Sequence, residues 1–236
     1  MSRDAEHDIE HDLEQKALDI LVRLESTYGK RTLRKRNSPL RVLISTILSQ
    51  RTTAKNERAA FNAMWSRYGG WAAVRDADIT ELTETLRPAN YAPTKAKRIQ
   101  VVLAELLDER GRSGLSALKE KSADEILNEL TALRGVGLKT ASIVALFCFG
   151  KPVQPVDTHV HRVSLRLGLL PKETNADKAH TLLRKLYPPE ADLHYSLHVA
   201  LIRHGRRVCK SVKPRCGICT LRNLCDFAPR LEDGRP

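Results

Sequence analysis

The chain has 236 residues, a mass of 26.5 kDa and a formal net charge of +12, from 40 lysines and arginines against 28 acidic residues. This length suits one large or two small domains, and the excess of positive charge favours a polyanionic partner such as nucleic acid. Aromatic residues make up only 5% of the chain, which disfavours single-strand binding by repeated base stacking.

The amino-terminal segment "MSRDAEHDIEHDLEQ" is acidic and lacks the apolar stretch of a secretory signal. The longest nearly apolar run, residues 141–150, reaches only about half of the roughly 20 residues that a membrane-spanning helix needs. We therefore predict no membrane association and a cytoplasmic location. In that compartment clustered cysteines are metal ligands more often than disulfides.

Helical periodicity extends over almost the whole chain, and no alternating strand pattern is present. A first helix is marked by apolar residues at three-to-four spacing, and Ser122 with Glu125 forms a capping box before a later one. The fold class is therefore all-α. The first helix follows Ile9, Leu13, Ala17, Ile20 and Leu21, and the next predicted helices span residues 40–50, 59–68, 78–86, 95–108 and 124–133.

The segment "RGVGLKTAS" predicts a tight turn between two helices. Gly135 and Gly137 permit positive φ and expose the backbone amides around Val136. The following helix adds its own unpaired amides and the positive end of its dipole. We predict that this turn binds a phosphate through its backbone.

Lys139 stands at the start of the second helix of this pair. A helix amino terminus disfavours a cation, which favours the neutral, nucleophilic form of the amine. A neutral lysine attacks carbonyl-like carbons and forms a Schiff base. The alternative is a lysine whose stem packs on the protein while its head reaches water.

The segment "KPVQPVD" after Gly150 breaks helix continuity with two prolines, and we place a domain boundary there. An amino-terminal helix that packs against the carboxy-terminal part would make that second domain discontinuous. Asp157 opens the next helix and is predicted to cap it. The same carboxylate is also suited to face Lys139 across an interdomain cleft and to stabilise a developing cationic sugar.

Cys209, Cys216, Cys219 and Cys225 form a C-x6-C-x2-C-x5-C array, too short to fold around a core of its own. A metal centre is therefore expected. Four thiolates suit a [4Fe–4S] cluster, whereas four-cysteine zinc sites usually contain two C-x-x-C knuckles and this array has one. Zinc and free thiols remain the alternatives at this point. The loop "KSVKPR" within the array carries Lys210, Lys213 and Arg215, which we predict to contact DNA phosphates.

These motifs resemble a known family. The segment "LRGVGLKTASIVALFCFGKPVQPVDTHVHRV" followed by the cysteine array is similar to endonuclease III, a helix–hairpin–helix DNA glycosylase with an iron–sulfur cluster. The resemblance runs from about Ser38 to Cys225. It implies a six-helix barrel domain at residues 37–151 and a cluster domain at residues 152–236, with the active site in the cleft between them. An amino-terminal helix region at residues 1–36 would pack with the cluster domain.

The resemblance also implies a function. A monomeric, bifunctional enzyme of base excision repair, associated with the bacterial nucleoid, would evert a damaged pyrimidine from duplex DNA. Lys139 would expel the base and cut the strand at the abasic site by β-elimination through a Schiff base, with Asp157 supporting the cationic sugar. The cofactor would be a [4Fe–4S] cluster bound by the four cysteines of the array. The alternative is a non-catalytic duplex-binding protein with a redox-sensing cluster.

Three positions depart from the family pattern. Where a glutamine usually enters the gap in the DNA, this chain has Arg51, with Gln50 one residue earlier. Tyr91 stands where a leucine or phenylalanine often inserts, and Arg134 replaces a proline of the hairpin. These changes leave the chemistry intact and point to an altered substrate range.

Overall fold

The computed structural model describes residues 3–108 and 110–228, and of residues 3–10 only the backbone. These residues form eleven α-helices and three short 3₁₀ segments, with no β-strand among them. The predicted all-α class is confirmed. The helices are α1 (Arg3–Tyr28), α2 (Pro39–Ser49), α3 (Ala54–Tyr68), α4 (Trp71–Asp76), α5 (Ile79–Thr85), α6 (Ala92–Leu106), α7 (Ala123–Ala132), α8 (Leu138–Phe149), α9 (Thr158–Arg166), α10 (Ala176–Leu186) and α11 (Ala191–Arg207).

The chain divides into two compact units. We call Lys35–Phe149 the continuous unit, and Met1–Arg34 together with Gly150–Pro236 the split unit. Their limits lie close to the domain boundaries expected from the sequence. The assignment of these units as barrel and cluster domains stays a prediction.

The continuous unit is organised around two apolar helices. Helix α8 is buried along its length from Thr140 onward, and it packs against α2 and α7. Helix α2 contributes Leu43, Ile44 and Ile47, all with no exposed surface. Burial of each such side chain stabilises the fold by about 1.5–3 kcal/mol. The helix that carries Lys139 therefore begins at the surface of this unit and continues into its core.

Local sequence fixes the start of α7. The Ser122 hydroxyl accepts from the Glu125 amide at 3.2 Å, and the Glu125 carboxylate accepts from the Ser122 amide at 2.8 Å. The predicted capping box is confirmed. It satisfies two amides that would otherwise lack a partner, and so fixes where the first helix of the hairpin begins.

The split unit brings the two ends of the chain together. Helix α1 packs against α10 and α11, and α9 packs against α10 and α11. Their apolar faces form one core, in which Ile20 and Leu24 of α1 meet residues of the carboxy-terminal helices, including Val160 and Leu197. Tyr28, at the end of α1, donates or accepts a hydrogen bond with Nδ1 of His204 at 3.1 Å.

Across the described ranges, every helix is too short or too polar to span a lipid bilayer.

Candidate active site and cysteine centre

The hairpin between α7 and α8 has the glycine-dependent geometry that the sequence indicates, but only at one glycine. Gly135 has φ +90°, whereas the φ of Gly137 is not in the left-handed region. Gly135 therefore adopts the positive φ that a glycine permits, and Gly137 does not. Gly137 instead accepts the first helical hydrogen bond of α8, from the Ala141 amide at 3.0 Å. Its role is to begin the helix.

Val136 is buried, with 5% of its surface exposed, and its amide donates to the Leu133 carbonyl at 3.1 Å. The turn therefore uses this amide internally. The amides that remain without a helical acceptor are those at the start of α8, since the first N–H groups of any helix lack intrahelical partners. A phosphate at this turn would be bound by those amides.

Gly135 is also required for packing. A Cβ at this position would lie 2.7 Å from Cγ of Arg98 on α6, well inside van der Waals contact. The Arg98 guanidinium continues past the glycine and donates through Nη1 to Oε1 of Gln50 at 2.8 Å. The hairpin glycine, α6 and the end of α2 are thus linked through one arginine side chain.

The contacts of Arg134 with Glu105 explain how an arginine is accommodated where the family usually has a proline. Its backbone amide donates to Oε2 of Glu105 at 2.9 Å, and its guanidinium forms an ion pair with the same carboxylate. Proline at this position would lack the amide donor. Hydrogen bonds from Arg134 hold the pKa of Glu105 below its ordinary value. Arg134 therefore links the hairpin to α6 through a hydrogen bond and an ion pair, whereas a proline would restrict the hairpin backbone without forming these contacts.

Lys139 is the second residue of α8 and is half-buried. The next residue, Thr140, is 2% exposed, and the helix is buried from there on. The first turn of α8 contains no acidic side chain. The lysine therefore lies at the positive end of a helix dipole, in a place that disfavours a fixed cation.

Asp157 is the N-cap of α9, as the sequence predicts. Its Oδ1 accepts from the amides of His159 and Val160, both at 2.8 Å. Both bonds end on the same oxygen, so the cap does not use Oδ2. Asp157 is half-buried in the split unit, and its carboxylate is held in one orientation by the start of the helix.

Arg51 and Tyr91 share an unusual backbone conformation. Their φ values are +50° and +60°, and Lys213 is the one further non-glycine residue with positive φ in the described ranges. Left-handed backbone costs about 1–2 kcal/mol for such residues and concentrates at functional sites. Both side chains are exposed, and the Arg51 guanidinium lies 5.8 Å from the centroid of the Tyr91 ring.

Three polar residues in and just before the first half of α6 bind the end of α2 and the residues that follow it, and sequence reasoning missed them. Asn90 donates through Nδ2 to the Arg51 carbonyl at 2.8 Å. Lys95, only 3% exposed, donates through Nζ to the Leu48 carbonyl at 2.7 Å, and burial lowers its pKa. Arg98 binds Gln50 as described above. Their partners lie far away along the chain, so no local pattern marks these residues.

The four cysteines of the array line one small cavity of about 20 Å³ in the split unit. Arg166 donates through Nη1 toward Sγ of Cys209 at 3.5 Å, and Nε2 of His204 lies 3.6 Å from Sγ of Cys219. Burial, and secondly the charge of the neighbouring thiolates, raises the pKa of Cys216 and Cys219. Because neighbouring thiolates repel one another, a metal centre that binds all four sulfurs would stabilise their deprotonated form.

The donor set fits an iron–sulfur cluster in type and number, because four cysteines bind [4Fe–4S] centres. A single zinc ion would require all four sulfurs within about 2.3 Å of one point. In the part of the chain that the structure describes, no three His, Cys, Asp or Glu side chains are grouped to hold a single ion. The identity of the group at the four cysteines therefore stays a prediction from their type and number.

The loop between Cys209 and Cys216 presents exposed cations. Arg166 holds its first part through the carbonyls of Lys210 and Ser211, at 2.7 and 3.1 Å, and Arg215 donates its amide to the Val208 carbonyl at 3.0 Å. Lys210, Lys213 and Arg215 are exposed and form no ion pair with a described residue. The loop backbone is thus fixed while its charges face solvent.

Residues 44–189 match the family model described as the HhH-GPD superfamily of base excision DNA repair proteins. This match covers more than half of the chain. The chain belongs to this family. The resemblance to endonuclease III is confirmed as well: endonuclease III of Thermotoga maritima is 36% identical over 200 residues, which cover 85% of this chain and 88% of the relative.

Solved structures agree with this assignment. A non-covalent endonuclease III–DNA complex superimposes with a TM-score of 0.78 at 28% identity, covering 93% of this chain and 98% of the other. A trapped covalent endonuclease III–DNA intermediate with an estranged adenine gives a TM-score of 0.77 at 28% identity and the same coverage. The predicted helix–hairpin–helix glycosylase fold is confirmed.

Proposed function

We propose that the protein is a bifunctional DNA glycosylase and abasic-site lyase of base excision repair, acting as a monomer on oxidised pyrimidines in duplex DNA. The observation that carries the proposal is Lys139 in the first turn of α8, directly after the glycine hairpin of a chain in this family. A scaffold that only bound duplex DNA would not require a nucleophilic amine at this position. The cytoplasmic, nucleoid-associated location stays a prediction.

Lys139 and Asp157 are the proposed catalytic residues. Neutral Nζ of Lys139 attacks C1′ of the everted nucleotide; the glycosidic bond breaks and the base leaves with a proton. Asp157, fixed by its cap bonds, stabilises the positive charge that develops on the sugar. The departing base takes up the proton that the attacking nitrogen releases. Ring opening, with a proton from water added to O4′, gives a Schiff base between Nζ and C1′. Water then accepts a C2′ proton as the C3′–O bond breaks and the 3′ phosphate leaves, and hydrolysis of the Schiff base frees the lysine.

DNA contacts are proposed at three places. The hairpin at Gly135, Val136 and Gly137 binds one phosphate through the amides at the start of α8, with Val136 contributing packing. Arg51 and Tyr91, with Gln50 beside them, lie at the gap that the everted nucleotide leaves. The exposed cations of the cysteine loop bind further phosphates; these are Lys210, Lys213 and Arg215.

The cysteine centre is proposed to be structural. Cys209, Cys216, Cys219 and Cys225 would hold a [4Fe–4S] cluster, which cross-links loops that have no core of their own. The reaction described above takes no step through it. His204 and Arg166 border the cavity and would act as hydrogen-bond partners of the cysteine sulfurs.

Borohydride trapping tests the function. Wild-type protein incubated with a duplex containing one abasic site should form a covalent complex on addition of sodium borohydride, which reduces the Schiff base. Lys139→Ala should form none, whereas Lys119→Ala, which removes an exposed lysine of the same unit, should be trapped as wild type. Trapping of Lys139→Ala at the wild-type level would show that another amine is the nucleophile. Absence of trapping in the wild type would favour the non-catalytic alternative.

A further inference from the structure

Gln50 and Arg51 are adjacent polar residues, and either side chain is a candidate to enter the gap that the everted nucleotide leaves in the DNA. The family's gap-filling glutamine has two candidates here, Gln50 by residue type and Arg51 by its place in the sequence. Their environments differ: Gln50 is half-buried and ends α2, whereas Arg51 is exposed. The side chain that enters the DNA must be the one whose polar atoms are not already engaged by the protein.

Arg98 engages Gln50. Its Nη1 donates to the Gln50 amide oxygen at 2.8 Å in a partly buried setting. Hydrogen bonds from a charged donor are among the stronger ones in proteins, and Gln50 must break this one before it reaches a base. The stem of Arg98 lies against Gly135, where no Cβ interferes, so the guanidinium is held in place before DNA arrives.

In contrast to Gln50, Arg51 has a fixed backbone and an exposed side chain. Asn90 fixes its carbonyl at 2.8 Å and so supports the left-handed backbone that turns the side chain outward. The guanidinium lies over the exposed ring of Tyr91, which itself has left-handed backbone. A guanidinium within about 6 Å of an aromatic centroid forms a cation–π contact, which keeps the exposed arginine beside the exposed tyrosine.

We infer that Arg98 is a positioning residue that selects Arg51 over Gln50 as the side chain that meets the estranged base, by holding the Gln50 amide away from it. This inference rests on the proposed glycosylase function. It has a chemical consequence, because an arginine only donates hydrogen bonds whereas a glutamine both donates and accepts. Glutamine matches the adjacent donor and acceptor of adenine. Selection of Arg51 therefore disfavours adenine, relative to glutamine, as the opposite base.

A three-variant cycle tests the inference. Base release is measured under single-turnover conditions on duplexes with one oxidised pyrimidine, chosen as the fastest substrate among thymine glycol, dihydrouracil and 5-hydroxycytosine, opposite guanine or adenine. Arg51→Ala should slow release about tenfold, and Arg98→Met in that background should recover most of the loss by freeing Gln50. The recovered rate should shift toward adenine as the opposite base. Adding Gln50→Ala should abolish the recovery.

The controls separate this inference from the proposed function. Lys97→Met replaces an exposed cation on the same helix and should give no recovery in the Arg51→Ala background. Borohydride trapping on a preformed abasic site checks the lysine chemistry in every variant. If the wild type is trapped but Arg51→Ala releases bases normally, or if Arg98→Met lowers the rate equally in both backgrounds, the selection role is wrong. If the wild type is not trapped, the proposed function fails.

Discussion

The two units of this protein hold their functional residues in different ways. In the continuous unit, Lys139 lies in the first turn of a helix that is buried from Thr140 onward. The segments around the end of α2 are fixed by side chains that bind backbone carbonyls, such as Lys95 and Asn90. In the split unit, Asp157 belongs to a well-packed helix, but the segment from Cys209 to Cys225 contributes mainly short turns and one fully buried apolar side chain, Leu221.

This difference indicates that the hairpin of the continuous unit and the cysteine segment of the split unit are stabilised by different interactions. Apolar burial and internal hydrogen bonds suffice for the hairpin of the continuous unit, because its helices are long enough to share a core. Short loops cannot repay the entropy of ordering by burial alone. We therefore expect the cysteine segment to depend on the group that its four sulfurs are proposed to bind, as small metal-binding segments commonly do.

Removal of one cysteine of the array should give the largest difference between the two units, because it should destabilise the cysteine segment and leave the continuous unit folded. Cys219→Ser should abolish the brown colour and the visible absorbance of purified protein, lower Tm by about 10 °C, and expose the segment after Cys209 to proteases, while peptides of the continuous unit stay protected. Cys148→Ala is the matched control, because this cysteine is buried in α8 outside the array. A colourless wild-type protein containing zinc would contradict the cluster assignment.

Asp157 tests whether a cap in the split unit also serves catalysis. Asp157→Asn should keep the cap, since asparagine caps helices as well as aspartate, yet slow base release about 100-fold through loss of the negative charge. Asp157→Ala should show the same kinetic loss and in addition lower the free energy of unfolding by about 1 kcal/mol. Single-turnover kinetics and thermal unfolding separate the two effects. Equal base-release rates in Asp157→Asn and wild type would leave the carboxylate with a structural role only.

The smallest effect is expected at the cysteine loop. Lys213→Gln should weaken binding to duplex DNA uniformly across sequences and flatten the plot of log affinity against log salt concentration by about one unit, because one phosphate contact is lost. Lys178→Gln, an exposed lysine on α10, should leave that slope unchanged. Titrations at several salt concentrations measure both. A loss confined to particular base sequences would mean that Lys213 contacts bases.

Many elements were predictable because their causes are local. The helix predicted at residues 40–50 is Pro39–Ser49, and that predicted at 124–133 is Ala123–Ala132. The predicted start of α3 was five residues late, because the run from Ala54 is polar, although Thr53 caps it by accepting from the Asn56 amide. Helix α6 begins at Ala92 instead of 95, since proline is tolerated in a first helical turn.

The sequence by itself determined the all-α class, the hairpin with its lysine, the cap at Asp157 and the cysteine array, because each depends on residues a few positions apart. Only the tertiary structure decided which of Gln50 and Arg51 is engaged and which is exposed. That outcome depends on Arg98 and Asn90, which reach Gln50 and Arg51 from distant positions in the chain, and on Gly135, whose lack of a side chain leaves room for Arg98. Hydrogen bonds and packing of this kind form only when helices meet, and no periodicity in the sequence encodes them.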